Sequence, residues 1–511
     1  MNDRPLSLAD FTAALQAAAQ DPGGSVELLL RTLPPRKAAL LRAAAIPHDF
    51  DADLLQVLEP GLGQTQAETL CTEFLKLSMV TTVEGALKIH DQARQHLFRS
   101  WLGADRREAF RDLSGRLAAH FEALKQTAVG AAQSVAENRQ IFHLIGANEA
   151  AGFEAFKTRF QSARKQFELA ECEALLRLVR EYGESIEPVR RLWIIHLEGD
   201  LRADLRRFDE AKAAYQAVLA DPQATPELRA RSWYRIGNLE REQRHWAEAE
   251  TAYGEARNAA AAVKSEGLGF RITDGLTAVY RETGRLDEAE AMLERAIKRA
   301  GEVGNRASLT VFYNSMGMLL QKRGDTGPAI EAFKQSLARL REEGETFRQA
   351  QVLNNLGLAY ADRTEWAESQ RYLEDCLRIE EQRGHTLGQA KTLHNLVRAY
   401  IALGQESKGL ETAERAAGLF VDVRDWFHAA VVKRMMGRIQ RRARRYPEAR
   451  KAFGESLGLF QQAGDDGEAA ATQVELSEVE RRRRLPWYIW VALVLFGLLV
   501  LVFLLAIAGD L

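Results

Sequence analysis

Residues 355–360 read NLGLAY, and residues 365–373, just beyond them, read EWAESQRYL. The glycine of the first stretch has counterparts at a fixed distance on both sides. Gly237, Thr277, Gly317, Gly357, Val397 and Gly437 stand 40 residues apart, and Gly199 lies 38 before the first. Nine residues after each comes a variable, often aromatic position: Phe208, Trp246, Leu286, Thr326, Trp366, Glu406 and Tyr446. Twelve after comes a small residue: Ala211, Ala249, Ala289, Ala329, Ser369, Gly409 and Ala449. About sixteen after comes Tyr215, Tyr253, Leu293, Phe333, Tyr372, Ala413 or Phe453. Small residues let two helices approach closely and large ones fill the space between them, so the period predicts stacked helix pairs.

The pattern resembles the tetratricopeptide repeat, whose W-x2-L-G-x2-Y…A-x3-F signature is a helix-turn-helix. The best matches are NLGLAY with EWAESQRYL, and IGNLE (236–240) with HWAEAETAY (245–253). The likeness runs from about Leu192 to Ser456, and a seven-unit α-solenoid is expected over residues 191–466. Gly284, Gly324 and Gly404 fall between the two helices of their units, where a left-handed cap belongs. The period exceeds the usual length of about 34. The added residues should lengthen both helices or enlarge the inter-repeat turn, as in REEGETFRQA and EQRGHTLGQA. The sixth unit, with Val397, Glu406 and Ala413, is the weakest match.

In the repeat family, first helices line a concave groove. By that resemblance the groove positions are Tyr234, Asn238, Arg241, Asn314, Gln321, Asn354, His394, Arg398, Arg434 and Arg438. Asparagine amides there can hold the main chain of an extended peptide, and arginines favour carboxylates. An acidic or C-terminal peptide is the expected ligand.

Ahead of the repeats the chain changes character. Pro34–Pro35 opens a helix (RKAALLRAAAI), FDADLLQVL reads as a second with Asp51 as N-cap, and TQAETLCTEFLKLSM as a third. MVTTVEGALKIHD alternates around a Glu84–Gly85 turn and predicts a hairpin. Three helices and a hairpin predict a winged-helix-like domain over 35–105, after an N-terminal helical segment at 1–34 and before a helical connector at 106–190. LKIHDQARQHL resembles the winged-helix segment of signal-transducing ATPases of the STAND class, and DRREAFRDLSGRLAAHFEAL and AENRQIFHLIGAN resemble their connecting helices. Those ATPases carry a P-loop domain before the winged helix. This chain has no G-x4-G-K-[ST], and the 34 residues before Pro35 are too few for such a domain. ATP hydrolysis is therefore not implied.

Residues 487–508, WYIWVALVLFGLLVLVFLLAIA, carry no charge, and only Gly509, Asp510 and Leu511 follow. About 20 apolar residues suffice to cross a bilayer core, so a transmembrane helix is expected over 486–508. Arg481, Arg482, Arg483 and Arg484 precede it, with Trp487, Tyr488 and Trp490 as an interfacial anchor, which would leave the bulk in the cytoplasm. A capping helix and basic linker are expected over 467–485. The expectation is a single-pass, tail-anchored protein, and the Ala/Arg-rich composition favours a bacterial inner membrane. Arg441, Arg442, Arg444 and Arg445, with Arg434 and Arg438 one and two turns before, add basic charge near this anchor. Arg434, Arg438, Arg441 and Arg445 share one helical stripe. A solvated face, an anionic-lipid contact and an acidic segment of a partner all fit that stripe.

The remaining composition removes other functions. The 511-residue chain has a formal net charge of −2, which gives no global field for nucleic acid. Its third predicted helix carries Glu68 and Glu73 against Lys76, a poor match to a phosphate backbone. Cys71, Cys172 and Cys376 form no CxxC pair and fit a reduced compartment. No HExxH, GxSxG or paired-carboxylate motif occurs, and His90–Asp91 reads as a junction between strand and helix. No catalytic residue, metal, cofactor or small-molecule substrate is expected. Two functions follow as expectations. The first is a membrane-tethered, non-enzymatic adaptor that captures a cytosolic protein in its groove. The alternative is a membrane-bound regulator whose winged helix touches DNA or a separate ATPase. Lipid organisation by the basic stripe is a third.

Overall fold

A computed structural model describes residues 22–263, 265–483, 491–492 and 494–500. They fall into two compact units, one of residues up to 239 with 261–263, the other of 240–260 and the residues from 265 on.

The first unit opens with α1 (Pro22–Thr32), α2 (Pro35–Ala43), α3 (Ala52–Leu58) and α4 (Gln64–Phe74). Pro35 occupies the first turn of α2, where its missing N–H costs nothing. Asp51 caps α3, its carboxylate accepting from the Leu54 N–H at 2.8 Å. Strands β1 (Val80–Val83) and β2 (Ala86–Ile89) pair antiparallel, with Val80 opposite Ile89 and Val83 opposite Ala86. Glu84 and Gly85 both take positive φ, 51° and 88°, as a two-residue type I′ turn requires. There follow α5 (Asp91–Trp101), α6 (Arg107–Thr127), α7 (Ala131–Ala147), α8 (Glu149–Lys165), α9 (Leu169–Arg180), α10 (Pro188–Asp204), α11 (Phe208–Ala220) and α12 (Pro226–Glu242), whose end enters the second unit.

The expected winged helix is corrected here. Its three helices and hairpin are present, but they do not close around a core of their own. One hydrophobic cluster runs from Leu41 and Phe50 through Phe98 and Phe142 to Phe160 and Leu197. The buried faces of the small helices thus belong to the helices that follow, and what stands is a helical unit bearing a two-stranded hairpin.

In the second unit α13 (Trp246–Ala260), α14 (Glu266–Glu282), α15 (Leu286–Glu302), α16 (Arg306–Arg323), α17 (Thr326–Glu343), α18 (Thr346–Asp362), α19 (Trp366–Gln382), α20 (Thr386–Ala402), α21 (Glu406–Asp422), α22 (Trp426–Arg442), α23 (Tyr446–Ala463) and α24 (Asp466–Arg483) stack as a solenoid. The helices from Thr346 to Asp422 are 17 residues each. Two such helices and two three-residue turns fill the 40-residue period, so the residues beyond the usual repeat length lengthen the helices. The inter-repeat turns are not enlarged: REEGETFRQA is helical on both sides of Gly344 and Glu345.

The turns from 283 onward, and that at 243–245, each carry one left-handed residue among the described residues. Gly284, Gly324 and Gly404 do so within their units, as their positions predict, and Gly304, Gly344, Gly384 and Gly464 do so between units. Arg244, Thr364, Arg424 and Arg444 take the same conformation without being glycine. The bonding is that of a Schellman cap: the Glu365 N–H donates to the Tyr360 carbonyl and the Thr364 N–H to the Ala361 carbonyl, both at 2.9 Å. A β-branched residue is least suited to this region, where a side chain costs about 1–2 kcal/mol. Thr364 is exposed, so Thr364→Gly should stabilise the chain by about 1 kcal/mol after the entropy glycine returns to the unfolded state. A higher urea midpoint at constant slope is the expected reading, and an unchanged or lower midpoint would contradict it.

In several units the small residue of the first helix seats a large one from the second, while Tyr253 meets Gly275 of the next unit's first helix. A Cβ built on Gly317 would lie 2.5 Å from the Phe333 ring, and one on Gly437 2.8 Å from that of Phe453. At Gly357 the seated residue is Leu373, whose Cγ would be 2.5 Å away. Tyr372, assigned that role by its approximate spacing, instead stacks on Tyr360 with ring centroids 5.3 Å apart. In the sixth unit the sizes are exchanged: Val397 and Ala413 are both fully buried, in a cluster with Leu393, Phe420 and Met436.

The membrane expectation is also corrected. Among the described residues no helix is long and apolar enough to cross a membrane. Within the stretch 486–508, residues 491–492 and 494–500 are described as helical, and the rest lies outside the described residues. The transmembrane helix, the tail anchor and the single-pass location built on it are therefore not supported.

Candidate functional site

Successive first helices of the array touch through short polar side chains. The Ser315 hydroxyl donates to Asp274 Oδ1 at 2.5 Å, Asn355 Nδ2 to Asn314 Oδ1 at 3.0 Å, and Asn395 Nδ2 to Asn354 Oδ1 at 2.9 Å. Gln321 Nε2 donates to Asp362 Oδ2 at 2.6 Å. Each of these pairs joins residues 41 apart in sequence. Serine and asparagine reach only a few ångströms, so these helices approach closely. Long pairs bridge both sets of helices, Lys322 to Glu282 between first helices, and Arg415 to Glu381 and Lys408 to Glu374 between second helices.

The sequence-predicted groove residues divide into three groups. Asn314, Gln321, Asn354, His394 and Arg398 lie along α16, α18 and α20. The side-chain amide N–H groups of Asn314 and Asn354 donate to no other described residue, since the cross-repeat bonds use only their carbonyl oxygens. Arg398 is exposed and forms no ion pair among the described residues. His394 is held below the ordinary histidine range by burial, with His428 and Arg398 adding to the effect. Tyr234 and Asn238 lie on the part of α12 in the first unit, while Arg241 lies in the second, and all three interact with neighbours.

Arg434 and Arg438 belong to the third group, with Arg441. All three are engaged by α24. Arg434 pairs with Glu468 and lies over the Phe460 ring, Arg438 pairs with Glu475 at 2.5 Å, and Arg441 pairs with Glu478 at 2.8 Å. α24 therefore engages three of the four arginines of the basic stripe and leaves Arg445 exposed. Arg442, Arg444, Arg445 and Arg481 are exposed. Of Arg482 and Arg483 only the helical backbone is described, and Arg484 lies outside the described residues.

Sequence reasoning missed Asp274, Ser315, Asn355 and Asn395, whose common signal is the 41-residue spacing. It also missed Arg348 and Lys391, which form no ion pair among the described residues. Asp274 is raised above the ordinary carboxylate range by burial, with the Ser315 hydrogen bond and Arg241, Arg281 and Arg348 opposing the rise.

Comparison with known proteins agrees with this geometry. Residues 270–342 and 349–382 match models of the tetratricopeptide repeat. The chain thus carries tetratricopeptide repeats. A search of curated proteins finds no match. Among solved structures, the fold is similar to that of a Signal Transduction ATPase with Numerous Domains (STAND) protein with a tetratricopeptide repeat sensor, from Pyrococcus horikoshii. That likeness has a TM-score of 0.52 at 14% identity, over 92% of this chain and 66% of that one. The chain thus spans slightly less than two thirds of that protein's length. Lower similarity is found to a Rap protein complexed with Competence and Sporulation Factor (TM-score 0.46, 14% identity, 65% of this chain and 98% of that one). The apo quorum sensor NprR from B. thuringiensis gives a TM-score of 0.42 at 13% identity, over 64% of this chain and 98% of that one.

Proposed function

We propose that this chain is a non-enzymatic protein-interaction scaffold that holds an extended acidic or C-terminal peptide segment on the first-helix face of its repeats. The observation that carries this reading is the asparagine ladder. Pairing through Oδ1 fixes the side chains of Asn314 and Asn354 and leaves their amide N–H groups to donate to a peptide backbone. Arg398, Lys391 and Arg348 add positive charge and form no ion pair among the described residues, which favours carboxylates. Stacked repeats supply an extended surface, and rigid placement of the amides lowers the ordering cost of binding. In this reading residues 191–466 form the binding array and 467–485 its cap and linker.

The test is to select peptides that bind the full chain from a random library and measure their affinity for a triple variant, Asn314→Ala, Asn354→Ala and Arg398→Ala. Two neutral hydrogen bonds and one charged one contribute about 3–4 kcal/mol together, so binding should weaken on the order of 100-fold. Selection of neutral peptides, or equal affinity for the variant, would contradict the reading.

A further inference from the structure

The C-terminal end of the array carries a cluster of arginines that its own packing does not use. At other turns arginines occur singly, some paired, as Arg285 with Glu250 and Glu288, Arg323 with Asp287 and Glu290 and Arg363 with Glu365, and some, Arg244 and Arg424, exposed with no ion pair among the described residues. In the last unit Arg442, Arg444 and Arg445 are exposed and form no ion pair among the described residues. Glu448 and Glu480, the unpaired acids nearest in sequence, do not engage them. Arg444 is the left-handed residue of its turn, with φ of 61°, so the tight cap fixes the backbone that presents these side chains.

Arg481 joins them. Arg434, Arg438 and Arg441 meet Glu468, Glu475 and Glu478 in the same order, so α22 and α24 run in the same direction. Val479 packs with Tyr446, Ala449 and Phe453, which brings the end of α24 to the turn at 443–445. Four guanidinium groups therefore share one end of the array, and a carboxylate placed among them would be attracted by all four.

We propose that this arginine-rich end docks a glutamate- or aspartate-rich segment of a partner protein. Carboxylate is the chemistry favoured because the adjoining arginines already display it: Arg434, Arg438 and Arg441 each hold a glutamate of one helix. The cluster continues that row where α24 turns from Glu478 to Arg481. The surface is separate from the asparagine face, so the two can succeed or fail independently.

The probe is a fluorescent synthetic helical peptide bearing glutamates at every third and fourth position, with a glutamine counterpart. Binding is read by anisotropy against the full chain. The glutamate peptide should bind at least about tenfold tighter than the glutamine one, and lose about tenfold on Arg442→Glu, Arg444→Glu and Arg445→Glu. Arg442→Gln, Arg444→Gln and Arg445→Gln, which keep bulk without reversing charge, should lose a smaller factor, and unchanged far-ultraviolet circular dichroism establishes that each variant folds. Reversal of Arg99, Arg111 and Arg177, exposed and unpaired in the first unit, should leave binding intact, as should the Asn314, Asn354 and Arg398 triple. Equal loss in either control set would overturn the proposal. So would unaltered binding in the Arg442, Arg444 and Arg445 variants, or a preference for phosphatidylglycerol vesicles or duplex DNA over the glutamate peptide.

Discussion

Replacing Asp200 with alanine should destabilise the chain by about 3–5 kcal/mol, because it takes from Arg235 its counter-charge at a buried site and leaves Arg164 with Asp204 alone. Asp200 is 3% exposed. Its carboxylate accepts from Arg164 at 2.5 Å, from Arg235 at 2.9 Å and from the Tyr215 hydroxyl at 2.7 Å. Tyr215 is itself the large residue seated against Gly199, so the polar network and the repeat packing share a side chain. Burial alone would raise the Asp200 pKa, but Arg235, His196, Arg164 and the Tyr215 hydroxyl outweigh it and hold it at about 2. A depressed carboxylate adds stability above its unfolded pKa and loses it as pH falls through the folded one, here from about 4 to about 2. His196, in the same cluster, is lowered to about 4 by burial. The unfolded chain takes up that proton first, so stability should fall by about 3 kcal/mol between pH 6.5 and 4. Urea midpoints measured from pH 7 to 3 should show both limbs. Asp200→Ala should lower the neutral plateau and remove the second limb, and an unchanged midpoint at pH 7 would refute the assignment.

Arg94→Ala should cost about 3 kcal/mol. Arg94 is 5% exposed and closes the H-D-x-x-R run that opens α5. Its guanidinium donates to the Pro47 carbonyl at 3.0 Å, the Ile46 carbonyl at 3.3 Å and Glu181 at 2.8 Å. One side chain thus ties the segment before α3 to the end of α9. Lysine is expected to recover roughly half the loss or less, since a single ammonium cannot serve three acceptors in a fork. Chemical denaturation of both variants checks this, and a lysine variant as stable as the parent would contradict it.

Much of the array was legible because its period is written in side-chain size. Gly317 with Phe333 and Gly437 with Phe453 follow from spacing alone, whereas at Gly357 the approximate spacing pointed to Tyr372 and the seated residue is its neighbour Leu373. The turns were legible only where glycine marks them: Arg244, Thr364, Arg424 and Arg444 take the same conformation with side chains that give no such signal. The asparagine face was half legible. Asn314 and Asn354 were found by position within the repeat, but their partners Asn355 and Asn395 emerge only from contacts between repeats. The basic stripe was visible, while the glutamates that neutralise Arg434, Arg438 and Arg441 lie 34 to 37 residues later, beyond any local pattern. At the front of the chain, element order was readable, but the helices share their core with later ones, which local periodicity does not reveal. The apolar run near the C-terminus predicted a span that the described helices do not supply.

The central claim is that the first helices of the array hold the ligand. It is tested most directly by hydrogen exchange on the full chain, with and without a library-selected acidic peptide bearing a free C-terminal carboxylate. Protection should appear in α16, α18 and α20, with α17, α19 and α21 unchanged. Protection confined to the second helices, or to the first unit, would contradict the account.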